Sequence, residues 1–190
     1  MSVWFWSFLL FSFLGYLLEK GYAAITHAVK QNRKCFVLLP LCPVYGVSVT
    51  AVLMLPQSLR EDIRTLLLVS ALVPCVVEYM MHLYYERCFQ VCYWDYREAP
   101  YQLHGRICLP FALVWTALMP FAVRVIAPRV LPTLAAMPTW LSFGVWMLLA
   151  ADWLISRYML LCCHDTERLR LSFLCFPGEL AEGTSECGES

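Results

Sequence analysis

Five long apolar stretches constrain this chain more than any other feature of its sequence. They cover roughly residues 3–25, 36–55, 66–85, 107–126 and 140–161. A helix needs about 20 apolar residues to cross a bilayer core of about 30 Å. Hydrophobic residues make up 61% of the chain and charged residues only 15%, which is too few to cover a water-soluble surface. We therefore predict an all-α, polytopic helical protein with about five transmembrane helices, multi-pass in the cell membrane.

The second apolar stretch differs from the others because it contains two prolines near its start. Pro40 and Pro43 precede Tyr45 and Gly46, and proline disfavours continuous helix at and before its own position. We expect uninterrupted helix only from near Val44. Irregular backbone at membrane depth is tolerated where it is buried in protein or lines a cavity, so this stretch is predicted to enter the membrane as a broken helix.

The ends of the chain give three domain predictions. The first apolar run lacks a basic leader and a small-residue cleavage site, so it is expected to be a retained transmembrane helix rather than a signal peptide. Residues 1–163 are predicted to form a single transmembrane domain. Residues 164–176 are predicted to be an interfacial amphipathic helix, and residues 177–190 an acidic, disordered tail.

The distribution of basic residues predicts the orientation, because short cytoplasmic loops carry an excess of Lys and Arg. Four lie on the side of the N-terminus: Arg60, Arg64, Arg124 and Arg129. Ten lie on the opposite side: Lys20, Lys30, Arg33, Lys34, Arg87, Arg97, Arg106, Arg157, Arg168 and Arg170. We therefore expect the N-terminus outside and the C-terminus in the cytoplasm.

The ten cysteines lie mostly inside apolar runs, where thiols behave as small hydrophobic groups. They are interpreted as mostly reduced. The nearest approaches to a metal cluster lack the paired ligand spacing of a zinc site; they are Cys88 with Cys92, and Cys162, Cys163 and His164. No metal or cofactor is expected. The net charge of zero provides no basic field for nucleic acid.

Ionisable residues inside the apolar stretches are the candidate functional groups, because they are costly at membrane depth and usually face a protein interior or a water-filled cavity. Pro74, Glu78, His82 and Glu86 recur every four residues and form one helical stripe. The predicted topology places them at one depth with residues from other spans. We predict a cytoplasm-facing polar cavity with Arg106 as the leading counter-charge, formed by Glu19, Glu78, His82, Glu86, Arg106 and Asp152.

Structural roles remain open for each of these residues. Glu19 and Glu86 lie close enough to an interface to be solvated. His82 fits a core histidine bonded to a nearby carbonyl. Glu78 and Asp152 also fit carboxylates that pair with arginine between helices.

A polar and aromatic connection joins the third apolar stretch to the fourth. Its motif residues are Trp94, Asp95, Tyr96, Gln102 and Gly105. Trp and Tyr are typical anchors at the membrane interface, an Asp caps a turn or short helix, and a Gly suits the turn into a new helix. These roles require no ligand.

Motifs along most of the chain resemble the CmpB-like family of putative ABC-transporter type IV permeases, which are small multi-pass bacterial membrane proteins. The matching residues are 15–19, Asn32-Arg33, 42–46, Glu78-Tyr79, Glu86, 94–96, 105–109, Trp115 and Asp152. Departures from the family pattern include Gln102 and His104, which replace Asn, and Arg97, which replaces Ser. The resemblance implies a transport component. Because the chain has no Gly-x-x-x-x-Gly-Lys phosphate loop, an ATPase would be a separate subunit.

Three functions therefore remain open at this point. The first is a transport component, acting in the lipid bilayer as a homo-oligomer or beside another subunit. The second is an intramembrane enzyme or binder for a lipid or isoprenoid phosphate, with Glu78 or His82 as general base and Arg106 on the phosphate. The third is a non-catalytic accessory or scaffold subunit, in which the charges are structural.

Overall fold

The fold is an all-α membrane bundle, seen here in a computed structural model that describes residues 2–26, 36 and 39–163. The helices, in chain order, are α1 (Ser2–Thr26), α2 (Pro43–Met54), α3 (Gln57–Glu61), α4 (Ile63–Phe89), α5 (Leu109–Phe121), α6 (Ala127–Ala135) and α7 (Thr139–Cys163). A π-helical segment, Ala122–Ile126, joins α5 to α6. Two short antiparallel strands, β1 (Gln102–Leu103) and β2 (Ile107–Cys108), form a hairpin before α5.

Four of the described helical segments are long and apolar enough to cross a membrane: Val3–Thr26, Ile63–Phe89, Leu109–Ala135 and Thr139–Cys162. They correspond to the first, third, fourth and fifth predicted spans. The fourth extends nine residues beyond its predicted end at residue 126, because the chain stays helical through Pro128 and Pro132. The predicted amphipathic helix at 164–176 and the tail at 177–190 lie outside the described residues.

The second predicted span contains a short helix rather than a full-length one. Helix α2 has 12 residues and begins at Pro43, where proline is well tolerated because the first helical N–H needs no intrahelical partner. Before it, Cys42 is extended and donates its N–H to the carbonyl of Ser12 on α1, at 3.0 Å. The break predicted from Pro40 and Pro43 is present. The total number of membrane crossings stays a prediction.

Close contact between α1 and α2 depends on two glycines. A Cβ atom added to Gly15 would lie 2.2 Å from Cγ of Tyr45. One added to Gly46 would lie 2.4 Å from the backbone oxygen of Phe8. Each glycine therefore lets the other helix approach its backbone, as small residues do at interfaces between membrane helices.

Side-chain hydrogen bonds fix the surrounding helices. Asp62 caps α4 by accepting the N–H of Thr65 at 2.9 Å. On the π-helical segment, Arg124 donates to the carbonyl of Glu61 at the end of α3. Trp6 of α1 donates its indole N–H to Ser142 of α7, at 2.8 Å. These contacts hold a bundle that contains the candidate site beside the C-terminal half of α4.

Candidate functional site

A small pocket of about 20 Å³ lies where α1, α2, α4 and α5 meet the connection between α4 and α5. Two carboxylates and several aromatic rings line it, and the lining residues are Glu19, Cys42, Val44, Tyr45, Glu78, Trp94, Phe111 and Trp115. A volume of this size holds about one or two water molecules. The pocket in this state therefore has little free space.

Glu19 reaches the pocket from α1 and is positioned by Tyr45 of α2. The hydroxyl of Tyr45 donates to Oε1 of Glu19 at 2.8 Å. The ring of Tyr45 lies against Gly15, one helical turn before Glu19, and its centroid is 4.6 Å from that of Trp115. The absence of a side chain at Gly15 thus allows Tyr45 to reach the carboxylate.

Glu78 reaches the same pocket from α4 and is only 5% exposed. It accepts a hydrogen bond from the hydroxyl of Tyr96, at 3.0 Å. The ring of Tyr96 stacks on Phe111 of α5, with a centroid distance of 5.1 Å. The connection between α4 and α5 therefore folds back to supply a donor to a carboxylate on a membrane helix.

The N-terminus of α2 also faces the pocket. Cys42, Val44 and Tyr45 at this end of the helix are lining residues, and no side chain caps the helix from Cys42. The start of a helix carries a partial positive charge that favours nearby carboxylates. The broken second span therefore places a helix end, rather than a helix side, beside Glu19 and Glu78.

Arg106 forms a separate cluster nearer the end of α4. Its Nε and Nη2 atoms donate to Oε2 of Glu86 at 3.0 and 2.6 Å, and Nη1 donates to the hydroxyl of Tyr79 at 3.0 Å. The hydrogen bonds with Glu86, more than any other contact, raise the pKa of Arg106 above its usual value. Arg106 pairs with Glu86, another residue of the predicted cavity, and neither residue lines the small pocket. Its role as the leading counter-charge stays a prediction.

His82 joins this cluster to the wall of the pocket. Its Nε2 atom lies 3.0 Å from the carbonyl oxygen of Trp94, a contact that requires the proton on Nε2. The indole N–H of Trp94 donates to the carbonyl of Arg106 at 2.9 Å. His82 is thus a buried histidine bonded to a carbonyl, which is the structural role that the sequence left open for it. It contacts Trp94 and does not line the pocket.

Asp152 lies elsewhere and has a different partner. It is fully buried on α7, and its Oδ2 accepts the backbone N–H of Leu39 at 2.7 Å. The hydroxyl of Ser156 lies 3.4 Å from Oδ1. Asp152 is not a lining residue of the pocket; it satisfies a backbone donor of the irregular stretch next to Pro40.

The other motif residues of the connection shape its turns. Asp95 accepts the N–H of Arg97 at 2.9 Å, which fits the predicted capping of a turn. Gln102 accepts the N–H of Gly105 at 2.6 Å, and the carbonyl of Gly105, whose φ is +67°, accepts the N–H of Tyr96. These residues position Tyr96 and stay outside the pocket. Trp94 and Tyr96 are both buried, rather than exposed at the interface.

Sequence reasoning missed several residues of the two clusters. Phe111 and Trp115 are four positions apart and share a face of α5, which helical periodicity could have indicated. Tyr79 lies seven positions before Glu86, on nearly the same face of α4. Tyr45 was expected at the broken entry of the second span, but its contact with Glu19 had no sequence signal, because that contact depends on how closely α1 and α2 approach.

One of the described cysteines, Cys92, is disulfide-bonded. The interpretation of the cysteines as mostly reduced agrees with the others, because five described cysteines have no disulfide. Among the described residues, those without a disulfide are Cys42, Cys75, Cys88, Cys108 and Cys162. No group of three or more His, Cys, Asp or Glu residues within the described ranges could hold a metal ion.

Comparison with known proteins identifies one matching family. A family model described as "Putative ABC-transporter type IV" matches residues 6–158. This region contains both carboxylates of the pocket, the broken second span and the whole α4–α5 connection. No curated protein and no solved structure matches the chain.

Proposed function

The chain belongs to the putative ABC-transporter type IV family, and from this premise we propose that it is the membrane-spanning component of a transporter. The pocket between Glu19 and Glu78 is its solute pathway or coupling-ion site. A single copy with about five crossings has few helices with which to enclose a solute pathway. The chain accordingly works as a homo-oligomer or beside a second membrane subunit.

The observation that carries this proposal is the position of Glu78. It lies on a segment apolar enough to span the membrane, yet its carboxylate faces a pocket shared with Glu19. An acidic residue at the centre of a membrane helix costs about 2.5–3.5 kcal/mol on insertion scales. Such residues commonly mark solute or ion pathways, and a broken helix whose end faces the site is a recurring feature of transporters.

The energy source is proposed to be a separate ATPase. Nucleotide hydrolysis needs a phosphate-binding loop, and this sequence contains no Gly-x-x-x-x-Gly-Lys motif. A nucleotide-binding subunit that interacts with this chain would supply the phosphate-binding loop and the ATP hydrolysis. The family description supports this partner without naming the solute.

The orientation in the membrane is proposed from the basic residues, which place the α4–α5 connection and the pocket entrance in the cytoplasm. The disulfide at Cys92 favours the opposite side, because disulfides persist mainly in oxidising compartments. We retain the cytoplasmic assignment, since ten basic residues against four support it. Labelling of Cys88 with a membrane-impermeant reagent distinguishes the two orientations.

The lipid-phosphate alternative gains no support from the site. It requires Arg106 to hold a phosphate, whereas three nitrogen atoms of this guanidinium donate to Glu86 and Tyr79. The proposed general base His82 is bonded to the carbonyl of Trp94. Both groups are engaged in holding the connection in place.

Native mass spectrometry of the tagged chain tests the transporter proposal. The protein is purified from its own host in mild detergent, as wild type, Glu78→Gln and the control Glu98→Gln, which makes the same change on an exposed residue. We expect all three to retain a nucleotide-binding subunit. A chain that carries a lipid lost only in Glu78→Gln, with no such subunit, would contradict the proposal and favour a lipid-binding site.

A further inference from the structure

Access to the pocket requires one of its walls to move. Glu78 is 5% exposed and the pocket has a volume of about 20 Å³, so a solute or hydrated ion does not fit beside Glu78 in this state. Four walls are helices, and the fifth is formed by Trp94 on the α4–α5 connection. The question is which wall opens.

The helical wall between α1 and α2 is poorly suited to opening. Tyr45 lies directly against Gly15, and Phe8 lies against Gly46, so the two backbones are in close contact. Tightly packed elements resist small displacements because their interiors are close-packed. Separation of α1 from α2 would also remove the hydrogen bond from Cys42 to Ser12.

The wall formed by the connection is held differently. Residues 90–101 contain no helix or strand, and between residues 90 and 106 the two-residue strand β1 is the only regular element. Gln90, at the end of α4, has a left-handed backbone with φ of +55°. Movable lids are drawn from such irregular segments with few backbone bonds.

Two of the contacts that hold this segment closed involve Arg106, in addition to those that Trp94 and Tyr96 make with His82, Glu78 and Phe111. The side chain of Arg106 binds Glu86, and its backbone carbonyl accepts the indole N–H of Trp94. The side chains of Arg106 and Glu86 are 17% and 27% exposed, so their ion pair sits at the rim, within reach of water. Ion pairs in contact with water contribute modestly and are readily exchanged for hydration.

We propose that residues 93–106 form a lid over the pocket and that Arg106 and Glu86 form its latch. Both are positioning residues: they act on the pocket through Trp94 and Tyr96, and opening of the latch exposes Glu78. This inference deepens the proposed function, since it concerns access to the same pocket. Thiol labelling of the pocket tests it without any transport assay, so the two proposals can fail separately.

Cys42 provides a native reporter of lid opening. It lines the pocket, is 3% exposed and is not disulfide-bonded. We would measure its alkylation rate by iodoacetamide, a small neutral reagent, in the full chain in detergent, with peptide mass spectrometry. The comparison is between wild type, Glu86→Gln and the control Arg97→Gln, which removes the exposed ion pair with Asp95 elsewhere in the lid.

Glu86→Gln is expected to raise the alkylation rate of Cys42 about tenfold, which corresponds to about 1.4 kcal/mol of lost closing free energy. Arg97→Gln should leave the rate unchanged. An unchanged rate in Glu86→Gln, or an equal rise in both variants, would overturn the latch.

Hydrogen–deuterium exchange separates lid opening from general unfolding. The N–H of Tyr96, bonded to the carbonyl of Gly105, should exchange faster in Glu86→Gln while α1 and α4 stay protected. If α1 and α4 also lose protection in Glu86→Gln, both measurements are repeated on Arg106→Lys. This variant keeps the positive charge but loses the two-nitrogen contact with Glu86. Faster Cys42 alkylation with protected helices then supports the latch, and an unchanged rate overturns it.

Discussion

The hydroxyl of Tyr96 lies 3.0 Å from the carboxylate of Glu78, although the two residues are 18 positions apart. One belongs to an irregular connection and the other to a membrane helix. Their contact closes one side of the pocket and satisfies a carboxylate that is 5% exposed. It therefore joins the stability of the bundle to the position of the lid.

Tyr96→Phe tests the value of this contact. The substitution removes the hydroxyl but keeps the ring that stacks on Phe111. We expect a loss of about 1–3 kcal/mol in unfolding free energy, because a buried carboxylate loses a donor. Thermal or denaturant unfolding in detergent measures it. Tyr101→Phe is the control, since Tyr101 is 84% exposed; equal stability of the two variants would contradict the prediction.

Gly15→Ala tests the close approach of α1 and α2. The added Cβ would lie 2.2 Å from the ring of Tyr45, so Tyr45 must move away from Glu19. We expect a destabilisation of about 1–3 kcal/mol from overpacking. Gly144→Ala on α7 is the matched control, because no atom lies within 4 Å of its added Cβ. It should be neutral or slightly stabilising, and a similar loss in both variants would show that packing against Tyr45 is not the cause.

The sequence predicted which residues face inward better than it predicted their partners. The four-residue spacing of Glu78 and His82 placed both on the buried face of α4, where they lie. Spacing within a helix says nothing about how a neighbouring connection folds back. For this reason the partners Tyr96 for Glu78 and Trp94 for His82 were not foreseen, and the sequence did not indicate which carboxylate would pair with Arg106.

Asp152 shows a second limit of sequence reasoning. A carboxylate in an apolar helix indicates a polar neighbour, and the prediction placed that neighbour in a shared cavity. One such neighbour is the N–H of Leu39, in the irregular stretch that Pro40 and Pro43 interrupt. Both features were visible in the sequence, but the contact between α7 and this stretch depends on the arrangement of the bundle.

Thiol labelling tests the disulfide at Cys92. Cys88 is exposed and not disulfide-bonded, whereas Cys92 is bonded. A maleimide should therefore modify Cys88 directly and Cys92 only after reduction, as read by peptide mass spectrometry. Modification of Cys92 without a reductant would contradict the disulfide.

The same reagent in a membrane-impermeant form reports the orientation. With the connection in the cytoplasm, Cys88 should react in inverted vesicles and stay unmodified in intact cells. Reaction in intact cells would reverse the proposed orientation and would agree with an oxidising environment for Cys92.

We predict that the contribution of Asp62 to the stability of the folded chain is lost in acid. Hydrogen bonds from the hydroxyl and the N–H of Thr65 hold the pKa of Asp62 below its usual value. The folded chain therefore binds this proton less readily than the unfolded chain, and the contribution is present above the unfolded pKa and lost as pH falls through the lowered folded pKa. Asp62→Asn should show a shallower loss of stability below about pH 4. Identical pH profiles for the two proteins would contradict this assignment.

The most direct test of the central claim is ATP hydrolysis by the purified complex in lipid vesicles, compared between wild type, Glu78→Gln and Glu98→Gln. A pocket carboxylate coupled to the ATPase predicts that Glu78→Gln assembles normally but hydrolyses ATP about tenfold more slowly, within the usual range of coupling energies. Glu98→Gln should match wild type. Equal rates in all three proteins would show that Glu78 is a structural residue and that the pocket is not the working site of a transporter.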